Sequence, residues 1–327
     1  MSCYHPLRAI KTNFPEPIID ENGKVHKSRI FFLKGEYDPE KLPVLDSNSE
    51  YISIPCGKCI GCRLDYSRTW ADRCMLESQY HKNNWFLTLT YDNDHLPEQR
   101  PGSPVHSLQK RDMQLFMKRL RKRFPDDKIR FFGCGEYGSK SCRPHYHLLL
   151  FGVPFEDLVL FKRDLTNNYL YFVSDCVSSL WPFGHHLITE LTWETCAYTA
   201  RYIVKKQKGK NAQVYEDYNF EPEFVLMSRK PGIAKQWFED HPDIVHQSHY
   251  IKTSKGSKLV KSNKYFDNLF DIEYPDQLDY YKEKRKEAAE LNNKLKSNLT
   301  SLKYNDMLAS EEINKEASIK SLKRKEL

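Results

Sequence analysis

The chain has 327 residues, of which 39% are hydrophobic and 13% aromatic, enough to build a core, so a disordered protein is excluded. A formal charge of +7 tolerates a polyanionic partner without demanding one. No run of about 18 apolar residues exists and MSCYHP at the start lacks a secretory pattern, so the expectation is a protein without a membrane span that works in a reducing cytoplasm.

Residues 1–80 are interrupted by Pro15, Pro17, Pro39, Pro43 and Pro55 and are predicted to form an irregular N-terminal region. This region holds Cys56-x-x-Cys59-x-x-Cys62, part of an odd total of nine cysteines, which reads as metal binding rather than disulfides. Three thiolates so close together can share one ion, with Cys3 or Cys74 as a fourth ligand, and structural Zn²⁺ is the leading expectation. An iron–sulfur cluster of the bacterial ferredoxin type would need a cysteine where Tyr66 stands, and absence of metal is the other alternative.

Residues 81–240 are the expected core domain. WFLTLTY (85–91) alternates and is rich in aromatic and β-branched residues, the pattern of a strand. Ser107 is positioned to cap a helix carrying Leu108, Leu115, Phe116, Leu120 and Phe124 and ending before Pro125. Its Lys118, Arg119, Arg121, Lys122 and Arg123 are either a solvated face or a DNA contact. Residues 130–134 read as a second strand leading into the glycine-rich GCGEYG, and HYHLLLF (145–151) as a third. Residues 155–182 are expected to be helical in part, followed by a strand near 186–191 and a helix over about 192–208. Together these elements predict an α+β fold, an antiparallel sheet with flanking helices. Residues 241–327 are expected to be a C-terminal extension, helix-prone or disordered, with sparse Leu291, Leu295, Leu299 and Leu302.

His145 and His147 stand at i and i+2, so on a strand both imidazoles face one side and can converge on an ion. Twelve histidines supply about 0.4 such pairs by chance, so the pair alone is weak. Glu136, at the end of the preceding strand, adds a carboxylate that a short hairpin brings alongside. Two imidazoles and one oxygen make an open site suited to Mg²⁺ or Mn²⁺. Downstream, Tyr198 and Tyr202 lie one helical turn apart, with Lys205 and Lys206 on the next turn of that face. A phenol with a pKa of about 10 is a poor nucleophile at neutral pH. A neighbouring cation and a metal on the target phosphate lower the cost of phenolate attack.

The ordered set FLTLTY, a glutamate followed by RPHYH, and YTARYIVKK resembles the three motifs of the HUH endonucleases that start rolling-circle replication. It is most similar to the replication initiators of microviruses, in the gokushovirus branch that infects bacteria. MSCYHPL, PCGKCIGCR and MSRKPGI extend the resemblance to about residue 235. The resemblance implies an RRM-like sheet holding both histidines and a tyrosine that attacks single-stranded DNA at the replication origin. It also implies a 5′-phosphotyrosine, a free 3′-OH, and work in the cytoplasm of a bacterial host beside its helicase and polymerase. Tyr202, with Lys205 three residues on, matches the family's Tyr-x-x-Lys nucleophile, and Tyr198 the second tyrosine of two-tyrosine initiators. The competing reading is a non-catalytic, zinc-containing nucleic-acid-binding protein. Tyr91, Tyr137 and Tyr146 either stack on unpaired bases or belong to the core, and His185 and His186 are expected to be structural.

Overall fold

The computed structural model describes residues 3–21, 23, 25–33, 44–138, 141–165, 168–202, 212–253 and 256–320. In chain order they form β1 (Leu7–Ile19), β2 (Val25–Phe32), β3 (Ser49–Ile54), α1 (Ile60–Ser78), β4 (Asn84–Tyr91), α2 (Lys110–Arg123), β5 (Arg130–Tyr137), β6 (Pro144–Phe151), β7 (Val159–Asp164), β8 (Tyr169–Val173), α3 (Asp175–Leu180), β9 (Gly184–Glu190), α4 (Trp193–Tyr202), α5 (Gln213–Asp217), β10 (Phe224–Met227), α6 (Lys235–Asp240), β11 (His249–Thr253), β12 (Gly256–Val260), α7 (Lys264–Glu273), α8 (Pro275–Asn298) and α9 (Tyr304–Lys320). The chain divides into two compact units, Met1–Arg63 with Ala289–Lys325, and Leu64–Ala288.

In the first unit, β1 is the centre of a three-stranded antiparallel sheet in the order β2-β1-β3. Residues 1–80, expected to be irregular, therefore carry three strands and a 19-residue helix. Pro15 and Pro17 fall between Asn13 and Ile18, where the β1–β2 register shifts. A bulge tolerates the missing N–H donors of proline, so the strand continues past residues that read as breakers. The C-terminal part of this unit is helical, with His5 Nε2 2.6 Å from the Glu312 carboxylate and Lys296 paired to Glu311 at 2.7 Å.

The second unit is built on an antiparallel sheet of seven strands in the order β10-β5-β6-β4-β9-β8-β7, bearing out the expected α+β class. Alternation along β4 sends Leu87, Leu89 and Tyr91 to one face and Phe86, Thr88 and Thr90 to the other. The first face is closed by α2, whose Met113, Phe116, Met117 and Leu120 join Tyr146, Leu148, Leu150 and Trp181 in one buried cluster. On the opposite face Phe86, Phe132 and Leu149 pack with Ala71 and Cys74 of α1 and Cys196 and Ala197 of α4. A further cluster joins Trp237, Phe238, Ile251, Phe266 and Phe270 from α6, the β11–β12 hairpin and α7.

Two local expectations are corrected. Ser107 does not cap α2, which starts at Lys110 behind Gln109; its buried hydroxyl instead accepts from the Glu221 amide. Residues 155–182 form β7, β8 and only the short α3, where Ser174 caps by accepting from Val177 N. In β7 three successive apolar residues, Val159, Leu160 and Phe161, are exposed, so this outermost strand lacks the alternation that marks a half-buried one.

Candidate active site

The site lies on the sheet face covered by α4, and strand register assembles it. Across β4 and β6, Thr88 is opposite His147 and Thr90 opposite His145; across β5 and β6, Glu136 is opposite His145 and Cys134 opposite His147. Both imidazoles therefore share a face. Each is tied through Nδ1, with Thr88 Oγ1 3.0 Å from His147 and Thr90 Oγ1 3.0 Å from His145. A histidine held at Nδ1 presents Nε2 as its ligand atom. His147 Nε2 faces the Glu136 carboxylate at 2.8 Å. The Nε2 of His145 approaches Gly138, where an added Cβ would lie only 2.8 Å from it, so a side chain at 138 would displace the ring.

Glu136 and His147 are 3% and 5% exposed, a burial that ionised groups tolerate only when partnered. The Phe86 ring is stacked on His147, with centroids 5.6 Å apart and planes 9° apart. Tyr198 meets His147 edge-on at 5.3 Å and Phe86 at 6.0 Å. Its helix is fixed from two sides: Cys134 Sγ reaches Thr199 O at 3.8 Å, and Ser67 Oγ of α1 donates to Ala197 O at 3.4 Å. The fully buried Cys196 lies beside Cys74, and burial with that neighbour pushes its thiol pKa well above the usual value.

His145, His147, Glu136 and Tyr198 are thus brought together. Tyr202 closes α4 one turn beyond Tyr198, while its side chain, with Lys205 and Lys206, lies outside the described residues. The donor set fits a hard divalent ion in kind, two imidazole nitrogens and a carboxylate oxygen, with both Nδ1 atoms already engaged elsewhere. Among the described residues the one group of three or more ligating side chains with all ligand atoms within 4.8 Å of one another is Cys3, Cys56, Cys59 and Cys62; the His–Glu set is less tightly drawn together. Cys74 is not part of that thiol cluster, because it sits farther along α1 against Cys196.

The basic run is separate from the histidines. Lys118, Arg121, Lys122 and Arg123 are exposed on α2, which covers the other sheet face, and Arg119 Nε donates to Leu180 O at 2.9 Å. Tyr91 and Tyr146 are core residues: their hydroxyls are 2.8 Å apart, and Tyr91 donates to Asp112. Burial first, then their neighbours, holds both phenols far above the ordinary pKa. Tyr137 donates to Glu221 O at 2.7 Å, and His186 Nε2 accepts from Ser174 N at 3.0 Å in a structural role. Sequence reading missed Thr88, Thr90 and Phe86. The signal was present, a Thr-x-Thr in one strand matching His-x-His in another, but it acquires meaning only with the register.

The family model for the replication-associated protein ORF2 matches residues 84–207, which contain every element of this site. The replication-associated protein ORF2 of Spiroplasma virus 4 is 37% identical over 290 residues, covering 85% of this chain and 88% of the relative. The replication-associated protein VP4 of Bdellovibrio phage phiMH2K is 32% identical, covering 73% of this chain and 75% of the relative. The replication-associated protein ORF4 of Chlamydia phage 1 is 34% identical over 160 residues, covering 47% and 38%. No solved structure matches. With sequence similarity extending over most of both chains in the first two relatives, the protein belongs to the phage replication-associated proteins, as a replication initiator of the gokushovirus type.

Proposed function

We propose that this protein is a metal-dependent, HUH-type endonuclease and strand transferase that nicks single-stranded DNA at the viral origin and later rejoins it. The observation that carries the reading is a phenol packed edge-on, at 5.3 Å, against a buried histidine that meets a carboxylate and shares a strand face with a second histidine. His145, His147 and Glu136 would hold Mg²⁺ or Mn²⁺, which when bound supplies Lewis-acid polarisation of the scissile phosphate.

The chain's own groups do the rest. Tyr202 acts as first nucleophile and Tyr198 as second. The bond from the tyrosine oxygen to phosphorus forms as the bond from phosphorus to the 3′ oxygen breaks. The phenol gives up its proton and the departing 3′ oxygen gains one. No phosphodiester is consumed, so the reverse reaction can join strands. Lys205 and Lys206 favour the phenolate by their charge. Thr88 and Thr90 hold the imidazoles in one tautomer, and Phe86 fixes the plane of the His147 ring. The freed 3′-OH would prime a polymerase of the bacterial host, with its helicase opening the duplex.

The test is incubation with circular single-stranded viral DNA and Mn²⁺, followed by a denaturing gel. Wild type is expected to form a protein–DNA adduct, Tyr202→Phe to lose the first cleavage, and the double variant with Tyr198→Phe to form none. An adduct at the wild-type rate in the double variant overturns the tyrosine mechanism. Tight, salt-dependent binding with no chemistry in wild type would instead favour a non-catalytic binding protein.

A further inference from the structure

We propose that Cys3, Cys56, Cys59 and Cys62 bind one structural zinc ion, with Cys3 as the fourth ligand that fastens the N-terminal segment to the corner between β3 and α1. This site lies outside the His–Glu site and does not rest on its assignment.

The sulfur positions carry the argument. A tetrahedral zinc with bonds of about 2.3 Å places its thiolates about 3.8 Å apart. Cys56 Sγ and Cys62 Sγ are 4.0 Å apart, as are Cys59 Sγ and Cys3 Sγ, and all four sulfurs lie within 4.8 Å of one another. A disulfide would need about 2.05 Å. All four cysteines are free, so the four sulfurs form the edges of one tetrahedron rather than two bridged pairs. A cubane iron–sulfur cluster holds its thiolates on separate irons, which does not suit sulfurs gathered about a single point.

The backbone around the cluster is arranged for thiolates. Amides point at sulfur from Cys56 to Cys3 Sγ at 3.2 Å, from Tyr4 to Cys59 Sγ at 3.4 Å, and from Lys58 and Cys59 to Cys56 Sγ at 3.4 and 3.3 Å. Hydrogen bonds to a sulfur favour its charged form and orient it as a ligand. The turn that aims the two amides at Cys56 passes through Gly57 at φ +70, a left-handed conformation in open space, so backbone geometry rather than crowding calls for glycine there. Cys62 stands in the first turn of α1, where the helix dipole favours negative charge. Cys3 and Cys59 are buried and Cys56 and Cys62 half-buried, which suits a closed structural site. Cys74 lies twelve residues beyond Cys62 on α1, about 18 Å along the helix, too far to serve.

Binding releases a proton from each thiol that enters as thiolate, and four thiolates around Zn²⁺ leave a net charge of −2. The ligand set closes a loop with a separation of 53 residues between Cys3 and Cys56 that contains the whole β1–β3 sheet, so metal binding and the order of this unit are coupled.

The experiment uses the full-length protein expressed in zinc-supplemented minimal medium. Elemental analysis is expected to give one zinc per chain, and cobalt exchange the intense sulfur-to-metal charge-transfer band of a tetrathiolate site. In a competition with a chromogenic chelator, Cys3→Ser should weaken zinc retention by more than about 100-fold, since loss of a direct ligand exceeds loss of a second-layer partner. Cys74→Ser should retain zinc as wild type does. Alkylation of the native protein should label the exposed Cys142 and spare the four ligands. A wild-type protein with no stoichiometric metal, or one holding an iron–sulfur cluster, overturns the proposal whatever the variants do. Zinc retained by Cys3→Ser and lost by Cys74→Ser overturns the ligand set.

Discussion

Thr88→Val isolates the role of a residue that touches no substrate. Valine keeps the β-branched shape and the strand preference of threonine, so β4 should be unperturbed. What disappears is the hydroxyl 3.0 Å from His147 Nδ1. When Nε2 serves as ligand, Nδ1 carries the proton and donates to Thr88; in the variant that N–H, on a 5%-exposed imidazole, has no partner at its old position. Leaving a buried donor unsatisfied costs about 1–3 kcal/mol, and removing the group that orients a metal ligand typically weakens metal affinity by about 10- to 100-fold. The assay is adduct formation on single-stranded DNA across a Mn²⁺ titration. The half-maximal metal concentration should rise by about 10- to 100-fold, while the rate at saturating metal stays near wild type. Thr88→Ser, which keeps the hydroxyl, should need far less of an increase. An unchanged metal requirement in Thr88→Val would refute the orienting role. A rate deficit that saturating metal does not recover would place Thr88 in a different step.

Two further outcomes follow from the packing. Glu77 of α1 accepts from Arg130, from the Ala234 amide at 2.6 Å and from His81 at 3.2 Å, and Arg130 is only 7% exposed. Glu77→Gln leaves that guanidinium buried without its counter-charge, and chemical denaturation should register a loss of about 3–5 kcal/mol. Burial raises the Glu77 pKa, but His81, the Ala234 amide and Arg130 outweigh it and the net shift is downward. The pair's stabilisation is therefore full above the ordinary carboxylate pKa and is lost as pH falls through the depressed folded value; a variant whose denaturation midpoint shows the same acid-limb slope as wild type would contradict this. Lys118→Ala combined with Lys122→Ala changes charge on α2, across the sheet from the histidines, so the cleavage rate should be unaltered. A large loss of cleavage, reversed by lowering the salt, would mean that this helix face contacts DNA.

The features legible in the sequence were those with a short period. His145 and His147 declared a shared strand face through spacing alone, and the Tyr198–Tyr202 pair declared a helix. The antiparallel class followed from the alternation in β4 and β6. What escaped required partners distant in the chain. Thr88 meets His147 59 residues later, and Cys3 meets Cys56 53 residues later; neither pairing leaves a local trace. The prolines of β1 misled because their cost depends on whether a strand bulges where they stand, and β7 misled because exposed apolar residues on an outer strand carry no alternation.

The residue between the two histidines explains why the site can be rigid on a strand. Tyr146 points to the opposite face, where it is fully buried, edge-on to Trp181 with centroids 5.6 Å apart. Its hydroxyl accepts from the Gln109 amide at 2.9 Å and meets the Tyr91 hydroxyl at 2.8 Å, and Tyr91 in turn donates to Asp112 of α2. Because side chains alternate across the pleat, anchoring Tyr146 on one face restricts how β6 can rotate, and that restriction is felt by His145 and His147 on the other. A one-residue slip of β6 would bury two imidazoles in the apolar cluster around Leu148 and Leu150 and expel Tyr146 from it. The sheet's core face thus enforces the register on which its other face depends. The threonine contacts set the angle of each ring, and the tyrosine anchor sets which side of the sheet those rings occupy.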